Sequence, residues 1–239
     1  GTSISNQVMT KIIGGSGLGS HTLLGADING EAGDDYSGQS VSFSSDGSRV
    51  AIGAYLNDGN GSDSGHVRIY QYNNNSWSQL GEDINGEAAL DRSGSSVSLS
   101  SDGSRVAIGA YLNDGNGSDS GHVRIFDYNG SAWVQVGADI NGEAASDMSG
   151  ISVSLSSDGS RVAIGAHRND GNGSNSGHVR IYDYNGSAWV QVGADIDGEA
   201  AGDKSGDSVS LSSDGSRVAI GAYNNDGGGS NSGHVRIYD

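Results

Sequence analysis

The sequence predicts an all-β fold, a β-propeller of four-stranded antiparallel blades, and three observations predict it. A block of 56 residues repeats: Gly25-Ala26-Asp27-Ile28 returns as Gly81-Glu82-Asp83-Ile84, Gly137-Ala138-Asp139-Ile140 and Gly193-Ala194-Asp195-Ile196. Residues 81–136 differ from 137–192 at only eight of 56 positions. Within each block, short segments alternate small polar with apolar residues and are separated by Gly-, Asn- and Asp-rich turns, the pattern of strands and not of helices. A unit of this size cannot bury its own apolar faces, so neighbours must stack, and radial stacking of four-stranded antiparallel units is the propeller plan.

Strand A of the first unit is Ser40-Val41-Ser42-Phe43-Ser44, a half-buried alternation. Ser45-Asp46-Gly47-Ser48 is a tight turn in which glycine supplies positive φ. Strand B, Arg49-Val50-Ala51-Ile52-Gly53-Ala54-Tyr55, has the small residues of close packing. The polar B–C loop spans 56–65, strand C is His66-Val67-Arg68-Ile69-Tyr70-Gln71-Tyr72, and strand D is Trp77-Ser78-Gln79-Leu80. The D–A connection, residues 83–94, leads to the next strand A.

The predicted organisation is a leader or linker over 1–19 and the propeller over 20–239, with units starting at 25, 81, 137 and 193. The last unit stops after strand C, and Ser20-His21-Thr22-Leu23-Leu24 stands before Gly25 as Ser76–Leu80 stands before Gly81. Residues 16–239 number 224, four times 56, so residues 16–24 are expected to complete the last blade and close a four-bladed monomeric ring. Two chains combining into an eight-bladed ring, or a longer array of which this is a piece, are the alternatives.

Composition excludes several classes. There is no cysteine, hence no disulfide framework and no thiolate metal site. No apolar run reaches the roughly 18–20 residues of a membrane helix. The net charge of −17 argues against nucleic acid, whose phosphates it repels. Twenty-two of the 29 acidic residues fall in or beside the D–A and B–C segments, which alternating strand direction puts on one face.

In nearly identical copies the substitutions are informative. Tyr36, Arg92, Met148 and Lys204 share one slot; Gln39, Ser95, Ile151 and Asp207 share another. Tyr55, Tyr111, His167-Arg168 and Tyr223 vary at the exit of strand B. All map to the D–A/B–C face, whereas the opposite turns barely change, so Tyr36, Gln39, Tyr55, Arg92, Tyr111, Met148, Ile151, His167, Arg168, Lys204 and Tyr223 are the candidate ligand contacts. Free drift of solvent-facing positions is the competing account. The spacing Asp58-x-Asn60-x-Ser62, repeated from Asp114 with Asn116 and from Asp170 with Asn172, offers oxygens to a hard cation such as Ca²⁺; ordinary turn chemistry explains the same residues. Trp77, Trp133 and Trp189 read as packing lids more than as sugar platforms, and the repeated His66 and Arg68 positions as hydrogen-bonding and ion-pairing groups. Among enzymatic readings, a polysaccharide lyase or hydrolase, only His167-Arg168 beside Met148-Ile151 breaks the symmetry.

Asp35-Tyr36-Ser37-Gly38-Gln39-Ser40-Val41, Val50-Ala51-Ile52-Gly53-Ala54 and Ser64-Gly65-His66-Val67-Arg68-Ile69-Tyr70 together resemble the FG-GAP repeat of integrin-α-type β-propellers, in all four units. Ser37-Gly38 stands where that family has Phe-Gly, and Tyr55 where it usually has Pro. The A–B turn, Ser44–Ser48, is too short for the family's calcium loop, so that site is not carried over. The resemblance implies an extracellular or cell-surface binding scaffold. The expectation is a non-enzymatic binding or adhesion module for carbohydrate or an extracellular protein; a purely structural unit of a larger surface protein is a third reading.

Overall fold

The computed structural model describes residues 22–239. The leader 1–19, and residues 20 and 21 of the expected closing strand, lie outside the described residues. The first repeat forms β1 (Ser40–Phe43), β2 (Arg49–Ala54), β3 (His66–Asn73) and β4 (Ser76–Gln79), antiparallel in that order, with β5 (Ile84–Asn85) added beside β4 on β3. The second repeats the plan with β6 (Ser96–Leu99), β7 (Arg105–Ala110), β8 (His122–Tyr128), β9 (Trp133–Gln135) and β10 (Ile140–Asn141). The third has β11 (Ser152–Leu155), β12 (Arg161–Ala166), β13 (His178–Tyr184), β14 (Trp189–Gln191) and β15 (Ile196–Asp197). The fourth, among the described residues, has three strands: β16 (Ser205–Leu211), β17 (Val218–Ala222) and β18 (His234–Tyr238).

The four strands read from each full repeat are therefore present, within a residue or two at their ends. The fifth was not expected. Two residues are too few to show alternation, and the D–A connection becomes β only because strand C extends beyond strand D: Ile84 pairs with Val67 and Asn85 with His66.

The core lies between repeats, not inside them. One face of the first blade, Ala51, Val67, Ile69 and Ile84, packs on Val97, Leu99, Val106, Ile108 and Phe126 of the second. The same halves recur between the second and third (Ala107, Val123, Ile125, Ile140 on Val153, Leu155, Val162, Ile164, Tyr182) and between the third and fourth. Gly109 shows why strand B carries glycine: a Cβ there would lie 2.0 Å from the carbonyl oxygen of Gly150 on the next blade.

Polar ties repeat across each seam at the same offset. The Leu99 amide donates to Ser42 Oγ (2.9 Å), Leu155 to Ser98 (3.0 Å) and Leu211 to Ser154 (2.9 Å). Arg49, Arg105 and Arg161 donate from Nη1 to the carbonyls of Gly103, Gly159 and Gly215. The result is a propeller-like succession of four blades. Among the described residues no sheet joins the first repeat to the last.

Candidate functional site

The connections into strand A of the second, third and fourth repeats are each clamped between two B–C loops. In the first of these the Asp91 carboxylate is buried and accepts the Ala88 amide and the Asn113 side-chain amide, both at 3.0 Å, from Oδ2. On its other side the amides of Leu90, Arg92 and Ser93 donate to the carbonyls of Ser62, Asp63 and Ser64 on the preceding blade. Asp35–Asn57, Asp147–Asn169 and Asp203–Asn225 repeat the buried carboxylate–amide pair. The sequence reading missed these anchors. Their signal was a single Asp and a single Asn, 22 residues apart, in every copy.

Beside each anchored Asp the connection carries large side chains in the left-handed backbone region. Tyr36, Arg92, Met148 and Lys204 have φ of 54°, 57°, 58° and 56°, and Asp34, Leu90 and Ser146 have 66–71°. Such residues carry roughly 1–2 kcal/mol of strain each outside glycine. The fourth repeat relieves it at the second slot, with Gly202.

This backbone aims the varied side chains at one another. Tyr36 meets Tyr55 edge-on, ring centres 5.9 Å apart. Arg92 donates from Nη1 to Tyr111 Oη at 2.8 Å, and its guanidinium lies within 6 Å of the Tyr55 and Tyr111 ring centres, bridging two blades. Lys204 Nζ donates to Tyr223 Oη at 3.0 Å. His167 Nδ1 lies 2.8 Å from Asp207 Oδ1, tying the third blade to the fourth. Arg168 is exposed and its amide donates to the Asp147 carbonyl. Gln39 and Ile151 close the turns begun by Tyr36 and Met148.

The B–C loop residues considered for calcium are engaged as loop ties. Asp58, Asp114 and Asp170 accept the amides of Asp63, Asp119 and Asn175. The side-chain amides of Asn60, Asn116 and Asn172 donate to pairs of carbonyls in the following connection, Gly86 and Glu87 in the first case.

A different set of donors gathers around strand C. Glu31, His66 and Asp83, then Glu87, His122 and Asp139, then Glu143, His178 and Asp195 each offer ligand atoms within 4.8 Å of one another and could hold a metal ion. The histidines are buried and their Nδ1 atoms have no hydrogen-bond partner among the described residues. Burial, reinforced by Arg124, pushes His122 down to about 4; burial lowers His66 and His178 as well. The rings are therefore neutral near pH 7. Against a cation stands the neighbouring arginine: Arg68 pairs with Glu31 and Asp83, and Arg124 Nη1 lies 3.6 Å from Glu87.

The tryptophans hold the blades together, as the packing reading expected. The indole Nε1 atoms of Trp77, Trp133 and Trp189 donate to the carbonyls of Leu24, Leu80 and Val136, the last residues before each repeat.

No curated protein matches the sequence. Among solved structures, a protein of Bacteroides uniformis provisionally named as a 6-phosphogluconolactonase is similar, with 14% identity and a TM-score of 0.56 over 83% of this chain and 49% of that one. The hydrazine synthase of Kuenenia stuttgartiensis aligns at 14% identity and a TM-score of 0.47, over 76% and 42%. The chain thus spans about half the length of these solved chains. The FG-GAP repeat model matches residues 28–70, 85–126, 141–182 and 195–238, one match per repeat, and the chain belongs to the FG-GAP repeat family.

Proposed function

We propose that this chain is a non-enzymatic recognition module of the cell exterior, made of consecutive β-propeller blades, that binds carbohydrate through the D–A/B–C rim. One observation carries the reading: Tyr36, Tyr55, Arg92 and Tyr111 converge into a continuous aromatic–cationic strip across two blades. Tyrosine faces held by neighbouring cations are rigid, amphipathic platforms with little side-chain entropy left to lose on binding. Strained backbone retained under the contact residues fits the same role.

The reading uses no catalytic cofactor. Calcium, where it binds, would do so in the acidic B–C loops. The Glu–His–Asp groups, which include a nitrogen donor, suit a softer divalent ion better.

A protein partner is favoured by one feature, Leu90, an exposed apolar side chain in the same connection as Arg92, since exposed apolar surface next to Tyr and Arg marks interfaces. The enzymatic alternative has one asymmetric pair to draw on, His167 with Asp207.

The test is a glycan array probed with the wild-type chain in Ca²⁺ and in EDTA, beside Arg92→Ala and His167→Ala. Binding that falls at least tenfold in Arg92→Ala supports the rim. Loss in EDTA adds calcium to it. Absence of glycan binding in both buffers sinks the carbohydrate reading in favour of a protein partner, and turnover abolished by His167→Ala sinks the non-enzymatic one.

A further inference from the structure

Strand C of the second and third repeats buries a histidine whose Nδ1 atom makes no hydrogen bond. His122 and His178 are each 1% exposed, and among the described residues neither Nδ1 has a partner. A polar atom left unmet at that depth is costly, and folds ordinarily satisfy it. Two carboxylates face each ring. His178 Nδ1 lies 3.7 Å from Glu143 Oε2 and 3.9 Å from Asp195 Oδ2. His122 Nδ1 lies 3.8 Å from Glu87 Oε2, and an Asp139 oxygen completes a set within 4.8 Å. Three stretches of chain supply each set: the connection entering the blade brings the Glu, strand C the histidine, and the residues after strand D the Asp.

These separations are too long for hydrogen bonds and close to the edges of a coordination shell. Two ligands held by one ion at about 2.0–2.2 Å stand roughly 3.3–3.6 Å apart on a tetrahedron. The outer oxygen of each carboxylate is already engaged, which turns the inner one toward the imidazole. Arg180 Nη1 lies 3.6 Å from Glu143 Oε1, and Gln191 donates to Asp195 Oδ1 at 2.7 Å. Arg124 and Gln135 repeat both contacts in the second repeat. Outer partners of this kind orient metal ligands. Each arginine is fixed from elsewhere, Arg180 Nη2 donating to the Asn141 carbonyl and Arg124 Nη2 to that of Asn85, both at 2.7 Å. Two carboxylates against one arginine leave each group net negative, and burial keeps both rings in the neutral form that ligates. The first repeat differs: Arg68 pairs with both Glu31 and Asp83, so a guanidinium takes the cation's place. In the fourth, His234 has Glu199 at 3.6 Å and, among the described residues, no Asp from a following strand D.

We propose that Glu87, His122 and Asp139, and likewise Glu143, His178 and Asp195, are two sites for a divalent first-row transition ion of the zinc class. Each ion takes one imidazole nitrogen and two carboxylate oxygens, with solvent at the fourth position. A nitrogen donor among few oxygens suits that class, whereas calcium asks for six to eight oxygens. The carboxylates of Glu143 and Asp195 are partly exposed, so the ion enters from solvent while the histidine stays in the interior. Bound there, it joins the connection entering a blade to that blade's strand C and to the connection leaving it. None of these residues belongs to the aromatic–cationic strip, so the proposal is independent of what the rim binds.

The experiment is calorimetric titration of the full chain, freed of metal by EDTA and dialysed, with Zn²⁺ at pH 7. Two ions per chain are expected, together with a melting temperature that rises with Zn²⁺. His178→Gln should remove one ion, and the double variant with His122→Gln both. Glu87→Gln and Glu143→Gln alter exposed side chains only. They decide the matter if a histidine variant fails to fold, and each should weaken its site by roughly tenfold or more. Co²⁺ in place of Zn²⁺ should give the visible absorption of a four-coordinate nitrogen–oxygen site, and excess Ca²⁺ should displace neither ion. A chain that takes up no Zn²⁺, uptake equally tight in both glutamine variants, or displacement by Ca²⁺ would each overturn the proposal.

Discussion

His122 is buried neutral beside Glu87 and Arg124, and that choice has a pH consequence. Its pKa falls from 6.5 unfolded to about 4 folded, so between those values the unfolded chain binds more protons and folding weakens as pH drops. The contribution is fully present above pH 6.5 and is lost on acidification through the window down to 4, about 3 kcal/mol for this residue. Urea melts from pH 7.5 to 4 should show the decline, and His122→Gln should flatten it. A second window lies lower: Asp46 and Asp214, held near 2 by the Ser44/Ser48 and Ser212/Ser216 hydrogen bonds in their turns, favour folding above about 3.8 and lose that effect as pH falls toward 2. Glycine gives a second residue-scale prediction. Gly109→Ala, whose Cβ would meet the Gly150 oxygen at 2.0 Å, should cost at least about 2 kcal/mol, while Gly33→Ala, with open space around it, should leave the melting temperature within a degree or two.

At the scale of the element, the connection 88–94 holds a strained backbone only because Asp91 and Asn113 anchor it. Asn113→Ala leaves a buried carboxylate short of a donor and should cost about 1–3 kcal/mol in chemical denaturation. Leu90→Gly tests strain against function. Replacing Leu at φ 71° by glycine, as the fourth repeat does with Gly202, should stabilise the fold by about 1 kcal/mol; a simultaneous loss of ligand affinity identifies Leu90 as a contact. The strain was not legible in the sequence. Nothing in Tyr36, Arg92, Met148 or Lys204 announces positive φ, which bulky residues ordinarily avoid; what all four share is the neighbouring Asp anchored by the Asn of its own B–C loop.

For the whole molecule, cores that lie between blades make stability a sum of nearest-neighbour seams. Hydrogen exchange should therefore be slowest in β7 and β12, which are mated on both faces, and faster in β1 and β18.

The sequence by itself determined the repeat, the strand order, the faces and the grouping of variable residues, because alternation and turn chemistry are local and a 56-residue copy carries them unchanged. It also put Tyr36, Tyr55, Arg92 and Tyr111 on one face, while their contacts with one another came from the structure. What the tertiary structure decided depends on neighbours. Ile84-Asn85 is a strand and Ile28-Asn29 is not, although the residues are identical, because among the described residues only the first has a strand C to pair with. Leu99 is core and Phe43 is surface for the same reason. Asn60, an oxygen ligand by spacing, spends its amide on the next connection. Identical segments take different roles when the partner across the seam is present or absent, and no single repeat encodes its partner.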